Sequence, residues 1–258
     1  MRPEATVATM RGEATTSPPH PVERRLELRA FSVTYPLFTL EPMSLVLHGG
    51  EAVALVGPNG SGKTTTLKAI AGRLAADYRG GIYLDGVEVR SALPAIRTSI
   101  GLVPEDLLGY RWLTVRQHLD FLRRFFPTWD RDYERSLLAR LGLRDEVKLG
   151  ALSKGMRVKL SFVAAEAYRP PLLLLDEPTS GLDPVVRREV IEIIRECAPP
   201  GGDRIVLFST HLLEDVEWLA ERVVVLKQGV LCADTTLEAL RAREGSVAGA
   251  LYGLLEGR

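Results

Sequence analysis

Cysteine is scarce in this chain of 258 residues, which holds only Cys197 and Cys232. Two thiols that far apart make neither a disulfide framework nor a CxxC motif, and they read as reduced side chains in a cytosolic protein. An excess of one charge is also missing, because 33 basic and 33 acidic side chains cancel to zero. That balance excludes a protein that grips nucleic acid or another long polyanion through bulk charge. It does not exclude a phosphate site, which needs only a few well-aimed donors. No apolar stretch approaches the roughly 20 residues that span a bilayer. The most hydrophobic runs, 172–175 and 223–226, have the length of strands. The N-terminus shows no basic region followed by an apolar core, so no secretory signal is expected and the protein should stay in the cytoplasm. Neither an internal repeat nor a collagen-like period is present. Hydrophobic residues make up 46%, too many for a disordered chain. The length suits one large domain, or a core with one subdomain.

Residues 1–24 are rich in Pro, Thr, Glu and Arg and predict a flexible tail, leaving one domain over 25–258. Leu26-Glu27-Leu28 begins an alternating pattern typical of a half-buried strand. Strands are also predicted at 44–47 and 52–56, with a hairpin over 81–89 that turns at Asp85-Gly86. From about 107 to 167 the periodicity becomes helical and β-branched residues thin out. Strand–helix alternation then returns: 172–175 leads to a helix over 185–197, and 204–208 leads to a helix over 212–219. A final hairpin turns at Lys227-Gln228-Gly229, and a short closing helix carries Leu251, Leu254 and Leu255. This pattern predicts an α/β fold with a mainly parallel sheet. The run of four leucines at 172–175 is expected to be a central strand buried on both faces. Trp129 is expected in the core, and the pairs Arg123-Arg124 and Arg187-Arg188 on solvated faces.

The sharpest local signal is Gly57-Pro58-Asn59-Gly60-Ser61-Gly62-Lys63-Thr64, a full match to GxxxxGK[ST]. A strand over 52–56 runs into it and a helix over 65–74, opening with Thr65, runs out. The glycines let the backbone wrap an anion with its N–H groups inward, and the helix start adds partial positive charge. Lys63 brings a full charge to the β- and γ-phosphates, and the Thr64 hydroxyl can ligate Mg²⁺. Downstream, Asp176-Glu177 follows the four leucines, where a parallel strand leaves the ligand edge of an α/β sheet. There Asp176 can hold Mg²⁺, and Glu177 can polarise the water that attacks the γ-phosphate.

Further motifs, in order, make the chain resemble the ATP-binding subunit of an ABC transporter from Leu26 to the C-terminus. Leu152-Ser153-Lys154-Gly155-Met156 stands where that family carries its LSGGQ signature. Asp176-Glu177-Pro178-Thr179-Ser180-Gly181-Leu182-Asp183-Pro184 matches its Walker B end and D-loop, and Ser209-Thr210-His211 its switch-histidine motif. Ile100-Gly101-Leu102-Val103-Pro104-Glu105 looks like the Q-loop, and Tyr35 occupies the place of the aromatic that stacks on adenine. The resemblance implies a P-loop NTPase core with a mixed, mainly parallel sheet, an antiparallel β subdomain and an inserted α-helical subdomain over about 107–167. ATP and Mg²⁺ are the implied ligands, with Thr64, Glu105 and Asp176 at the metal. It also implies a head-to-tail pair of subunits, homodimer or heterodimer. In that pair Ser153 and Gly155 close over ATP held by the partner, and His211 bridges the γ-phosphate, Glu177 and the partner's D-loop around Asp183. Integral membrane permease subunits would hold the protein at the inner face of the membrane, and no nucleic acid is expected.

Two departures stand out. Glu105 replaces the family's usual Gln and adds negative charge near the phosphates. Lys154 and Met156 replace a Gly and the Gln of the signature, leaving Ser153 and Gly155 in place. Together they resemble the ABC-2-type branch, which implies export. Gly109-Tyr110-Arg111-Trp112-Leu113 either docks on a permease or fills the helical lobe, and the residues leave both open. The alternative function is a soluble ABC-type ATPase in protein or cofactor assembly.

Overall fold

The computed structural model of the chain describes residues 24–256, except 93, 94, 198, 200 and 201. The tail expected over 1–24 lies outside them apart from Arg24, which ion-pairs with Asp85 at 2.6 Å. The first half runs β1 (Arg25–Tyr35), β2 (Phe38–His48), β3 (Ala52–Val56), α1 (Lys63–Ile70), β4 (Tyr78–Leu84), β5 (Val87–Glu88) and β6 (Ile100–Val103). Three helices follow, α2 (Val115–Leu122), α3 (Arg131–Arg140) and α4 (Lys154–Glu166). The chain then runs β7 (Leu172–Asp176), α5 (Pro184–Cys197), β8 (Ile205–Thr210), α6 (Leu213–Leu219), β9 (Arg222–Lys227) and β10 (Val230–Thr236). It closes with α7 (Leu237–Glu244) and α8 (Val247–Glu256).

The strands form two sheets. One is antiparallel in the order β2-β1-β4-β5, and the other has the order β10-β9-β3-β8-β7-β6. In the second, β3, β6, β7, β8 and β9 are parallel and only β10 runs against its neighbour. This is the expected α/β architecture. The parallel sheet is buried on both faces, and alternation decides which core each residue enters. Leu172 and Leu174 pack with α1 and the antiparallel sheet, while Leu173 and Leu175 pack with the helices on the other side. All four are fully buried. At roughly 1.5–3 kcal/mol per buried leucine, β7 is a main anchor of the loop that leaves its C-terminal end.

The differences from the sequence reading have local causes. β1 and β2 are far longer than the segments at 26–28 and 44–47, because a bulge hides the period. Leu26 and Leu28 are buried, Ala30 takes a left-handed φ of 46°, and burial resumes at Phe31 and Val33. One inserted residue flips the parity, so the alternation looks broken. Helix α1 begins at Lys63 rather than Thr65 and stops at Ile70 rather than Leu74. Gly72 at φ 63° ends it, with Gly72 N–H donating to Ala69 O and Arg73 N–H to Lys68 O. The expected closing helix is two, α7 and α8, separated by Gly245 at φ 73°. The 81–89 hairpin does turn at Asp85-Gly86, both with positive φ. Arg187 does not lie on a solvated face as expected. It pairs with Asp215 at 2.8 Å and Glu214 at 2.7 Å, whereas Arg188 is exposed.

Candidate active site

The C-terminal ends of β3, β7 and β8 lie side by side, with Val56 paired to Thr210 and Asp176 to Ser209. Register therefore brings three sequence-distant segments to one edge: the loop after β3, the pair Asp176-Glu177, and Ser209-Thr210-His211. An open cleft of about 660 Å³ lies over that edge. Of the residues singled out from sequence, Tyr35, Asn59, Gly60, Gly62, Lys63, Thr64, Thr65, Glu105, Glu177 and His211 line it.

The glycine-rich loop is shaped for close approach. Gly62 has φ 108°, and a Cβ there would come within 2.8 Å of Leu40 Cδ1. Gly62 is also the N-cap of α1, whose start has no side-chain cap and no acidic residue in its first turn. The first N–H groups of a helix have no partner within it, so this start is open to an anion. The Lys63 ammonium is almost fully buried and donates to the carbonyls of Gly57 at 2.8 Å and Pro58 at 3.2 Å. Gly57, Pro58 and Ser61 thus form the back of the loop, and the buried Ser61 hydroxyl finds no hydrogen-bond partner among the described residues.

Asp176 lies behind Thr64. Its Oδ1 accepts from Thr64 Oγ1 at 3.0 Å and from Ser209 Oγ at 2.8 Å. Ser209 Oγ in turn accepts the Glu177 N–H at 2.9 Å. That bond helps hold Glu177 at a φ of 49°, a left-handed backbone that costs a non-glycine residue about 1–3 kcal/mol. From there Glu177 reaches both neighbours of the cleft, with Oε1 3.3 Å from Lys63 Nζ and Oε2 2.7 Å from His211 Nδ1. His211 itself is exposed, while the Glu177 side chain is largely buried.

On the opposite lip, Tyr35 and Phe38 face each other across the β1–β2 turn with ring centroids 6.5 Å apart, and Leu37 at the tip is wholly exposed. Sequence reasoning found Tyr35 and missed Phe38 and Leu37, although the short turn between two strands places all three on one lip. Ser180 in the cleft lining and Ser209 behind Asp176 were also not singled out; both lie inside motifs that were read for their neighbours.

Three site residues lie away from the cleft. Ser153 caps α4, its Oγ accepting the Met156 N–H at 3.2 Å. Gly155 is packed so tightly on α5 that a Cβ would meet Val186 Cγ1 at 2.5 Å. Asp183 caps α5 through Oδ1, which accepts from the N–H groups of Val185 and Val186 at 3.1 Å each. The starts of α4 and α5 therefore abut, and none of these three residues lines the cleft. Tyr110 and Trp112 are both exposed and stack at 4.5 Å, so they do not fill the lobe's core. Trp129 packs against the core as expected, its Nε1 donating to Glu134 at 2.7 Å.

Residues 40–180 match the family model described as ABC transporter. The chain is 37% identical over 203 residues to the ABC transporter ATP-binding protein YtrB of Bacillus subtilis, covering 78% of this chain and 68% of that protein. It is 34% identical over 240 residues to Nod factor export ATP-binding protein I of Neorhizobium galegae, covering 90% of this chain and 67% of the relative. The chain thus spans about two thirds of the length of these relatives. A solved structure titled as the ATP binding subunit of an ABC transporter superposes with a TM-score of 0.78 at 32% identity, covering 89% of this chain and 98% of that one.

Proposed function

We propose, for a chain that belongs to the ABC transporter family, that the cleft binds and hydrolyses ATP and so energises transport by a separate membrane-spanning permease. The observation that carries this reading is the placement of Glu177, between Lys63 and His211 at the end of β7. A carboxylate there can take the proton of an attacking water on its Oε atoms while Lys63 and the open start of α1 bear the phosphate charge. The Gly57 and Pro58 carbonyls that the ammonium donates to carry no formal charge, so an anionic phosphate oxygen is a stronger partner for it. The N–H groups of the 57–65 loop hold the remaining phosphate oxygens. Tyr35 and Phe38 offer apolar faces to the base, and His211 donates to the γ-phosphate from the side of Glu177.

The donor set fits Mg²⁺. Thr64 Oγ1 and Asp176 Oδ1 are hard oxygens 3.0 Å apart, and Glu105 adds an exposed carboxylate to the cleft. Among the described residues no group of three His, Cys, Asp or Glu could hold a metal alone. That suits an ion shared with substrate phosphates, and when bound it would neutralise charge on the β- and γ-oxygens.

Ser153 and Gly155 serve the ATP of a second ATP-binding subunit in this reading, and Asp183 meets that subunit across the shared interface. The stacked Tyr110 and Trp112, on an exposed apolar face with Leu108, are the contact to the permease. Among the described residues no helix is long and apolar enough to cross a membrane. In this reading the permease holds the protein at the inner face. Export is the direction favoured by the LSKGM signature and Glu105, and the Nod factor relative is itself named for export. Phosphate release with Mg-ATP tests the core of the reading. Glu177→Gln should lower kcat at least ~100-fold while ATP binding persists, and unchanged turnover in that variant would overturn the role of Glu177.

A further inference from the structure

Asp215 lies on α6, four residues after His211, with 1% of its surface exposed and no contact with the cleft. Four donors from three separate segments converge on its carboxylate. Thr179 Oγ1 and Thr210 Oγ1 both donate to Oδ2, the second at 3.2 Å. Arg187 donates to Oδ1 through Nε at 3.0 Å and Nη2 at 2.8 Å. Each segment carries a residue of the proposed chemistry. Thr179 is two residues after Glu177, Thr210 immediately precedes His211, and Arg187 lies one turn into the helix that Asp183 caps. Thr210 Oγ1 also accepts the Leu212 N–H at 3.0 Å, which fixes the turn that points His211 into the cleft.

Both carboxylate oxygens act as acceptors, two hydroxyls donating to one and a guanidinium to the other, a set that an amide, with an NH₂ in place of one oxygen, cannot reproduce. Burying such a pair is costly, and apolar packing of equal volume would often serve stability as well or better. What this pair supplies that apolar packing cannot is a fixed relation between the loop bearing Glu177 and the loop bearing His211. Those two side chains must meet at 2.7 Å although Glu177 stands on a strained backbone.

We propose that Asp215, locked by Arg187, is a positioning residue that sets Glu177 and His211 in register through Thr179 and Thr210. The inference rests on the hydrolytic reading above. Its test compares the full chain with Asp215→Asn, Thr179→Val and Thr210→Val, measuring phosphate release over a range of Mg-ATP, together with thermal unfolding. Turnover should fall about tenfold or more with KM for ATP held within about twofold, because Lys63 and the 57–65 loop are untouched. In a His211→Ala background, Asp215→Asn should cost less than about twofold, since both changes disable one unit. Full additivity with His211→Ala would overturn the inference, as would wild-type kcat in Asp215→Asn. The two valine variants carry the same test if Asp215→Asn does not fold, and normal turnover in both sinks the idea. A wild-type chain that binds ATP and releases no phosphate instead overturns the hydrolytic reading beneath it.

Discussion

His118 shows how one buried side chain gives the whole chain a pH dependence. It is 3% exposed, on α2, lining a pocket of mixed polarity with Ser161, Tyr168 and Arg73. Burial disfavours the charged imidazolium and lowers its pKa below the ordinary 6.5. The unfolded chain therefore takes up a proton at a higher pH than the folded one. Stability holds at its full value above about 6.5 and falls as pH drops from there toward the folded value. His118→Leu should flatten that acid-side loss in thermal unfolding, and an unchanged slope would show that other groups set it. Residues differ in how far sequence reveals them. Lys63, Asp176 and Glu177 were legible because their chemistry belongs to a local motif. Asp215, Arg187 and Ser209 were not, because their meaning lies in partners 28 to 36 positions away. A periodicity sees Arg187 only as one of two basic residues on a helix, and burial beside a carboxylate is a tertiary fact.

At the scale of elements, α5 illustrates a start fixed by two neighbouring residues. Pro184 occupies the first turn, where its missing N–H costs nothing, and Asp183 Oδ1 accepts the next two N–H groups. Asp183→Ala should therefore lower stability by about 1 kcal/mol, a shift of roughly 2–4 °C in Tm. Asp183→Asn keeps the accepting oxygen and should keep Tm, so calorimetry of the pair separates the cap from any effect of charge on turnover. Equal destabilisation by both would refute the cap as the source. The central strands and α5 were read nearly residue for residue, since a buried strand and an amphipathic helix display their periods openly. The long β1–β2 hairpin was not, because the bulge at Ala30 shifts the alternation by one. The end of α1 was missed because apolar Leu74 extends the helical pattern past Gly72, where the backbone turns left-handed.

For the whole molecule, the decisive geometry is that one chain holds two helix starts, at α1 and α4, to which the proposed function assigns phosphate. The start of α1 opens into the cleft, whereas Ser153 and Gly155 at the start of α4 lie against α5 and outside it. In the proposed function, the α4 start of a second chain closes over the nucleotide in this open cleft. Hydrolysis by Glu177 would remove the γ-phosphate that such a closure grips, so a variant that binds without turning over should accumulate the closed pair. Glu177→Gln with Mg-ATP is expected to elute as a dimer in size-exclusion chromatography, and as a monomer without nucleotide. Adding Ser153→Glu to it places a negative charge at the α4 start, which the proposed pairing would set against the partner's phosphates. That double variant should remain monomeric while each chain still binds ATP through its own Lys63 and α1. Dimers that survive Ser153→Glu would remove the α4 start from the interface. Loss of ATP binding by the monomer would instead mean that Ser153 serves the cleft of its own chain.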